Sequence, residues 1–164
     1  MGPRVVRGFV LGLGLVSLGL LWAFLGHGPS VDLVVSSVLR DLAWPEREEP
    51  YVLLFYDPLC PVCRRLERDM EEDAVVRRYV RYVPAFMHQG SYEAWLRLLV
   101  ERGWDEGEAR VWLEQMAREV EGSGLSTTPT AYVVNARGEA KTIVGYPGYR
   151  RWREEVLDGL GVGP

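Results

Sequence analysis

Cys60 and Cys63 are the two cysteines of the chain, three positions apart in the string FYDPLCPVC, Phe55 to Cys63. Two thiols at that spacing can form a structural staple, half of a metal site, or a pair that trades electrons as dithiol and disulfide. A staple closing so short a loop stabilises little, because the loop-closure contribution grows with loop length. A Cys-x-x-Cys metal site usually needs two further ligands, and the histidines on offer are His27 and His88. The exchange reading depends on what flanks the pair. Pro61 suits the first position of a helix, where its missing N–H would have no partner. Cys60 is therefore expected at a helix N-terminus, where unpaired N–H groups and the helix dipole favour an anion. Such sites lower a thiol pKa from ~8.5 into the range ~3.5–7.5, and the thiolate is the species that attacks a disulfide. Arg64 and Arg65, one turn on, would add positive potential. Cys63 is expected to lie deeper and to release whatever Cys60 has bonded.

The elements that must position this pair follow from apolar spacing. YVLLFY, Tyr51 to Tyr56, reads as a buried strand. After the cysteines, helical spacing runs through Leu66, Met70, Val75 and Tyr79, and VRYVPAF reads as a second strand. Ser91 is expected to cap a helix over YEAWLRLLVER that breaks at Gly103. Asp105 with Glu108 predicts a capping box for a further helix stopping at EGSG. TPTAYVVN and AKTIVGY are two strands around the turn ARGE, and YRRWREEVLDGL is a closing helix. A β-α-β half and a β-β-α half joined by helices predict an α/β fold, a mixed central sheet covered on both faces. The inserted helices, residues 91–121, carry Trp95, Leu98, Leu99, Trp112, Leu113 and Met116 and are expected to form part of the covering layer.

The first residues are a separate object. Gly8 to Gly26 is a run of nineteen residues without a charge, close to the ~20 that cross a bilayer. Arg4 and Arg7 precede it, and the positive-inside bias would keep residues 1–7 in the cytoplasm. The run exceeds the usual signal h-region, and Pro29 follows the small-residue candidate GHG. An uncleaved transmembrane anchor is the preferred expectation and a cleaved signal peptide the alternative. The remainder then lies outside the cytoplasm, in the periplasm or at the cell exterior, or is secreted if the segment is cut. Residues 27–49 read as a linker and short helix. Ser30 caps a run to about Ala43 with Val31, Val34, Val35, Val38, Leu39 and Leu42 on one side. A net charge of −4 gives no electrostatic footprint for nucleic acid, and two cysteines are too few for a disulfide scaffold.

A second signal is STTPT, Ser126 to Thr130, just before the third strand. A proline there can be an ordinary trans residue, since only ~5–6% of X–Pro bonds in folded proteins are cis. Taken together, the strand, the Cys-Pro-x-Cys at a helix start and the later Thr-Pro resemble a thioredoxin-fold disulfide oxidoreductase. The similarity is closest to the DsbC/DsbG group of thiol:disulfide interchange proteins and covers about Pro50 to Leu160. FYDPLCPVC resembles that group's active-site string, TTPT its Thr and cis-Pro loop, and VGYPGY its Gly-Tyr stretch before the last helix.

The resemblance implies a thioredoxin-like domain over 50–164, with Cys60 as attacking thiolate and Cys63 as resolving thiol. Pro61 and Asp57 support the site, Asp57 either by helping a proton leave Cys63 or by capping the helix. Thr128 and a cis Pro129 would flank the pair and offer backbone to an extended client. No metal or organic cofactor is implied, the redox-active Cys60–Cys63 disulfide being the working group. Implied partners are client proteins with cysteines or disulfides and a membrane redox partner. The group's isomerases carry an N-terminal dimerisation domain, and only about twenty residues stand here between linker and first strand. Like that group, the chain has an apolar residue, Leu54, where thioredoxins carry a buried acid. Oxidase, reductase and isomerase all remain open, as do a reductant dedicated to one client (an apocytochrome or copper-site protein) and a non-catalytic metal- or client-binding module. His88 and Tyr56 are further candidates to line the site, against ordinary loop and packing roles.

Overall fold

The computed structural model describes residues 50–163. The expected anchor over 8–26 and the expected helix over 30–43 lie outside these residues. Among the described residues no helix is long and apolar enough to cross a membrane.

Nine elements follow in order: β1 (Tyr51–Tyr56), α1 (Pro61–Met70), α2 (Ala74–Arg77), β2 (Val80–Pro84), α3 (Ser91–Glu101), α4 (Glu106–Gly122), β3 (Thr130–Val134), β4 (Ala140–Val144) and α5 (Tyr149–Leu160). The strands form one mixed sheet in the order β2-β1-β3-β4. β1 pairs parallel with β2 and antiparallel with β3, and β3 pairs antiparallel with β4.

β1 is central because it is apolar on both faces. Alternate side chains of a strand point to opposite sides. Val52, Leu54 and Tyr56 join Cys63, Leu66, Trp152 and Val156 on one side. Leu53 and Phe55 join Val83, Met116, Val120 and Tyr132 on the other. Leu53 and Leu54 are both wholly buried, each contributing about 1.5–3 kcal/mol of apolar burial. α5 approaches β3 closely: a Cβ on Gly159 would stand 2.9 Å from Val133 Cγ1.

The helical run expected after the cysteines is two helices. α1 stops at Met70, and Asp73 starts α2 by accepting from Val75 N and Val76 N, both at 3.1 Å. The same carboxylate takes Tyr149 Oη at 2.9 Å and Arg153 Nε at 2.6 Å, tying α5 to the start of α2. Ser91 is not the cap of α3. Gly90, at φ 88°, takes that position, a left-handed backbone that glycine adopts without steric cost, and Ser91 becomes the first helical residue. The expected cap at Asp105 is in place, its carboxylate accepting from Glu108 N at 3.1 Å. In the insertion, Trp95, Leu99, Leu113 and Met116 are buried, while Leu98 and Trp112 are partly so.

Candidate active site

Both neighbours of β1 run past its C-terminal end, and this builds the site. Phe55 lies opposite Thr130, so the residues just before β3, Thr128 and Pro129, arrive beside the turn that follows β1. On the other side Tyr56 pairs with Pro84, and Ala85 N donates to Tyr56 O at 2.9 Å. The loop from Ala85 to Gly90 therefore crosses the same end of the sheet. The turn Asp57-Pro58-Leu59-Cys60 is held between them.

Asp57 shapes that turn. Leu59 N donates to Asp57 Oδ1 at 2.8 Å, and Cys60 N donates to the Asp57 carbonyl at 3.1 Å. Cys60 then occupies the N-cap of α1 with extended backbone, φ −71° and ψ 118°, and Pro61 fills the first helical position. Cys63 N donates to Cys60 Sγ at 3.4 Å, the place where a capping oxygen normally sits. The alternative expectation, Asp57 as the cap of the helix, is thus corrected: the cap is the sulfur, and Asp57 closes the turn in front of it.

The two sulfurs have opposite surroundings. Cys60 is 6% exposed and Cys63 not at all, and both are free thiols. Burial alone would raise the Cys60 pKa. Hydrogen bonds from Cys63's thiol and N–H, the Thr128 side chain and Val62 N–H outweigh it and hold the thiol below its ordinary value. In its protonated form the Cys60 thiol donates to Thr128 O at 3.6 Å. At Cys63 burial wins, and with Cys60 beside it the thiol is pushed up to about 12. Cys60 is the sulfur that ionises, and Cys63 keeps its proton while Cys60 is charged. Arg64 and Arg65 are exposed, with Arg65 Nε 3.9 Å from Asp69. The donors that favour the Cys60 anion come instead from the first turn of α1 and from Thr128.

Thr128–Pro129 is a cis peptide bond, with Pro129 buried. Gly145 N donates to Pro129 O at 2.8 Å, fixing the loop to the segment after β4. Beyond β4, Tyr146 Oη donates to Asp69 on α1.

Asp57 is wholly buried, and its second oxygen is the hub of contacts that sequence reasoning missed. Oδ2 accepts from Met87 N at 2.8 Å and Ser91 Oγ at 2.7 Å, and His88 Nδ1 lies 2.9 Å away. Burial would raise the carboxyl pKa, but hydrogen bonds from His88, Ser91, Leu59 and Met87 bring it below the ordinary carboxylate value. Ser91 is also held by His88 N, which donates to its hydroxyl at 3.1 Å. His88 thus reaches the site through Asp57. Tyr56 has a packing role: its hydroxyl bonds Glu67, and Tyr82 and Trp95 meet its ring edge-on.

Among the described residues no group of three or more His, Cys, Asp or Glu side chains is placed to hold a metal ion. What the arrangement offers chemically is an ionisable sulfur at a helix start, with a second, protonated sulfur one turn behind it. A thiolate so placed can attack a disulfide sulfur, and the neighbour can displace the bond it forms.

Comparisons with known proteins bear on the same region. The chain is similar to the structure of MTB DsbF in its mixed oxidised and reduced forms, at 18% identity and TM-score 0.42, over 68% of this chain and 81% of that one. It is similar to a thioredoxin-like protein solved in solution in its oxidised form, at 15% identity and TM-score 0.41, over 70% and 80%. A thiol:disulfide interchange protein of the thioredoxin family from Chlorobium tepidum TLS is similar at 15% identity and TM-score 0.36, over 70% and 81%. No curated protein matches the sequence. The sequence profile of a thioredoxin-like domain matches residues 43–158, well over half of the length and inclusive of both cysteines and the cis peptide. On that match the chain belongs to the thioredoxin-like domain family.

Proposed function

We propose that the protein is a membrane-tethered thiol:disulfide oxidoreductase, related to the DsbC/DsbG group, working outside the cytoplasm on client proteins. The observation that carries this reading is Cys60 Sγ at the cap of α1, receiving Cys63 N at 3.4 Å with the wholly buried Cys63 thiol behind it. Helix-start donors stabilise the thiolate and so the reduced pair. A pair whose reduced form is stabilised is a better oxidant, and oxidation of clients is the preferred direction.

In that direction the resting pair is a Cys60–Cys63 disulfide. A client thiolate attacks Cys60 Sγ, the Cys60–Cys63 bond breaks, and Cys63 leaves as a thiolate that takes up a proton. A second client thiolate then attacks the client sulfur of the mixed disulfide, closing the client disulfide and expelling Cys60 as a thiolate. Two electrons pass from client to pair, and a membrane redox partner returns the pair to the disulfide. The reverse sequence, with Cys60 attacking a client disulfide and Cys63 resolving, reduces the client. No metal or organic cofactor enters either direction. Thr128 and Pro129 would present backbone to the client beside Cys60. The tether is the uncharged run over 8–26, with Arg4 and Arg7 on the cytoplasmic side.

The test is a Cys63→Ser variant of the full chain expressed in its own cell. It should accumulate client proteins as mixed disulfides through Cys60, released by reductant and absent when Cys60 is also replaced. Finding no trapped client would count against exchange. Equilibration of the wild-type pair against glutathione decides direction: a potential well below the ~−270 mV of thioredoxin would make the protein a reductant.

A further inference from the structure

Asp57 takes no covalent part in exchange, yet its surroundings bear on the charge at Cys60. Its carboxylate is wholly buried and receives four contacts, from Leu59 N, Met87 N, Ser91 Oγ and His88 Nδ1. Two are peptide N–H groups and one is a hydroxyl, all neutral at any working pH. The fourth is an imidazole, and it is the single ion-pair partner of Asp57 among the described residues. The His88 side chain is 45% exposed, whereas the carboxylate is fully enclosed. Around this unit the Cys63 thiol meets the Asp57 backbone and Ser91 its carboxylate, while Cys60, at the cap of α1, meets Cys63 N and Thr128 O. Asp57 also holds the turn that delivers Cys60, through Leu59 N and Cys60 N. A buried negative charge is thereby fixed three residues from a sulfur that must itself become negative. Like charges in a water-poor site oppose one another, and a nearby cation relieves both.

We propose that His88 is a positioning residue for the dithiol, acting through Asp57. Its imidazole offsets the buried carboxylate and so favours the Cys60 thiolate, setting how oxidising the pair is. This rests on the exchange reading and deepens it.

The experiment follows thiolate absorbance of the full chain in detergent micelles across pH, for wild type, His88→Lys and His88→Asn. The chain has two cysteines and Cys63 ionises far higher, so the lower step belongs to Cys60. A fixed cation at 88 should move that step down by about half a pH unit or more, and a neutral amide should move it up. The equilibrium with glutathione should follow, about threefold for each half unit. Disturbed packing would not produce shifts of opposite sign at one half-exposed position. Both variants shifting the same way, or neither shifting, would overturn the proposal. A wild-type pair that fails to exchange with glutathione, while the two variants still shift in opposite directions, would sink the exchange reading and leave the role of His88 standing.

Discussion

Two helices of this molecule begin alike and are used differently. α4 opens with Asp105, whose carboxylate accepts from Glu108 N at 3.1 Å on an exposed surface. α1 opens with Cys60, whose sulfur accepts from Cys63 N at 3.4 Å inside the fold. Position, extended backbone at the cap and the N–H three residues on are shared; the atom is not. Cysteine is not among the favoured N-cap residues, and the favoured ones stabilise a helix by about 1 kcal/mol over alanine. At α1 the chain therefore gives up part of a good cap to hold a sulfur where an anion is welcome. The lesson is that a helix start can stabilise either the fold or a reactive charge, and residue type decides which.

Replacing the sulfur by oxygen is the sharpest way to break this comparison. Cys60→Ser should abolish disulfide exchange entirely. Its hydroxyl can accept from Cys63 N and donate to Thr128 O, so α1 should hold at least as well as in the reduced wild type. Exchange with glutathione and a urea midpoint measured together check both halves. A Cys60→Ser chain that unfolds early would mean that the sulfur is needed for the fold itself.

The turn in front of Cys60 comes next in size. Asp57→Asn puts an NH2 or a single acceptor where two oxygens now take four contacts, and leaves buried donors unmatched, costing about 1–3 kcal/mol. The effect depends on pH in a definite sense. Asp57 has a folded-state pKa below its unfolded value. Its contribution is therefore complete above the unfolded carboxyl value of ~3.9 and disappears as pH falls through the folded value. The difference in stability between wild type and Asp57→Asn should be largest near neutrality and shrink in strong acid. Denaturant titrations at several pH values read this directly, and a difference that stayed constant would remove Asp57 from the acid-sensitive part of the fold.

The smallest change belongs to the exposed helix start. Asp105→Ala should lower stability by about 1 kcal/mol and leave glutathione exchange unchanged. An altered exchange rate would mean that the start of α4 is coupled to the site through α3, whose Ser91 bonds Asp57.

The part of this arrangement legible in the sequence is the part made by near neighbours. The apolar run Tyr51–Tyr56 and Pro61 at the first helical position are local signals, and β1 and the start of α1 stand where those signals put them. The Asp57 hub escaped because its partners lie 30, 31 and 34 residues away, at Met87, His88 and Ser91. Only the pairing of β1 with β2 carries the Ala85–Gly90 loop back to Asp57. Ser91 shows the same limit in small. Serine before a helical run reads as a cap, but Gly90 in left-handed backbone moves the cap one residue back, and the hydroxyl is free to serve Asp57. The break between α1 and α2 was hidden by helical spacing that continues through Leu66, Met70, Val75 and Tyr79. Asp73 interrupts it by capping a new helix, and Val75 ends 48% exposed.

The claim on which the account turns is that Cys60 ionises well before an ordinary thiol while Cys63 does not. Its most direct test is the rate of alkylation at Cys60 in the reduced full chain as a function of pH, read by mass spectrometry of the modified residue. The rate should rise to a plateau with a midpoint clearly below the ~8.5 of a free cysteine, with Cys63 left unmodified. A midpoint at or above that value, or modification of Cys63 first, would contradict the account.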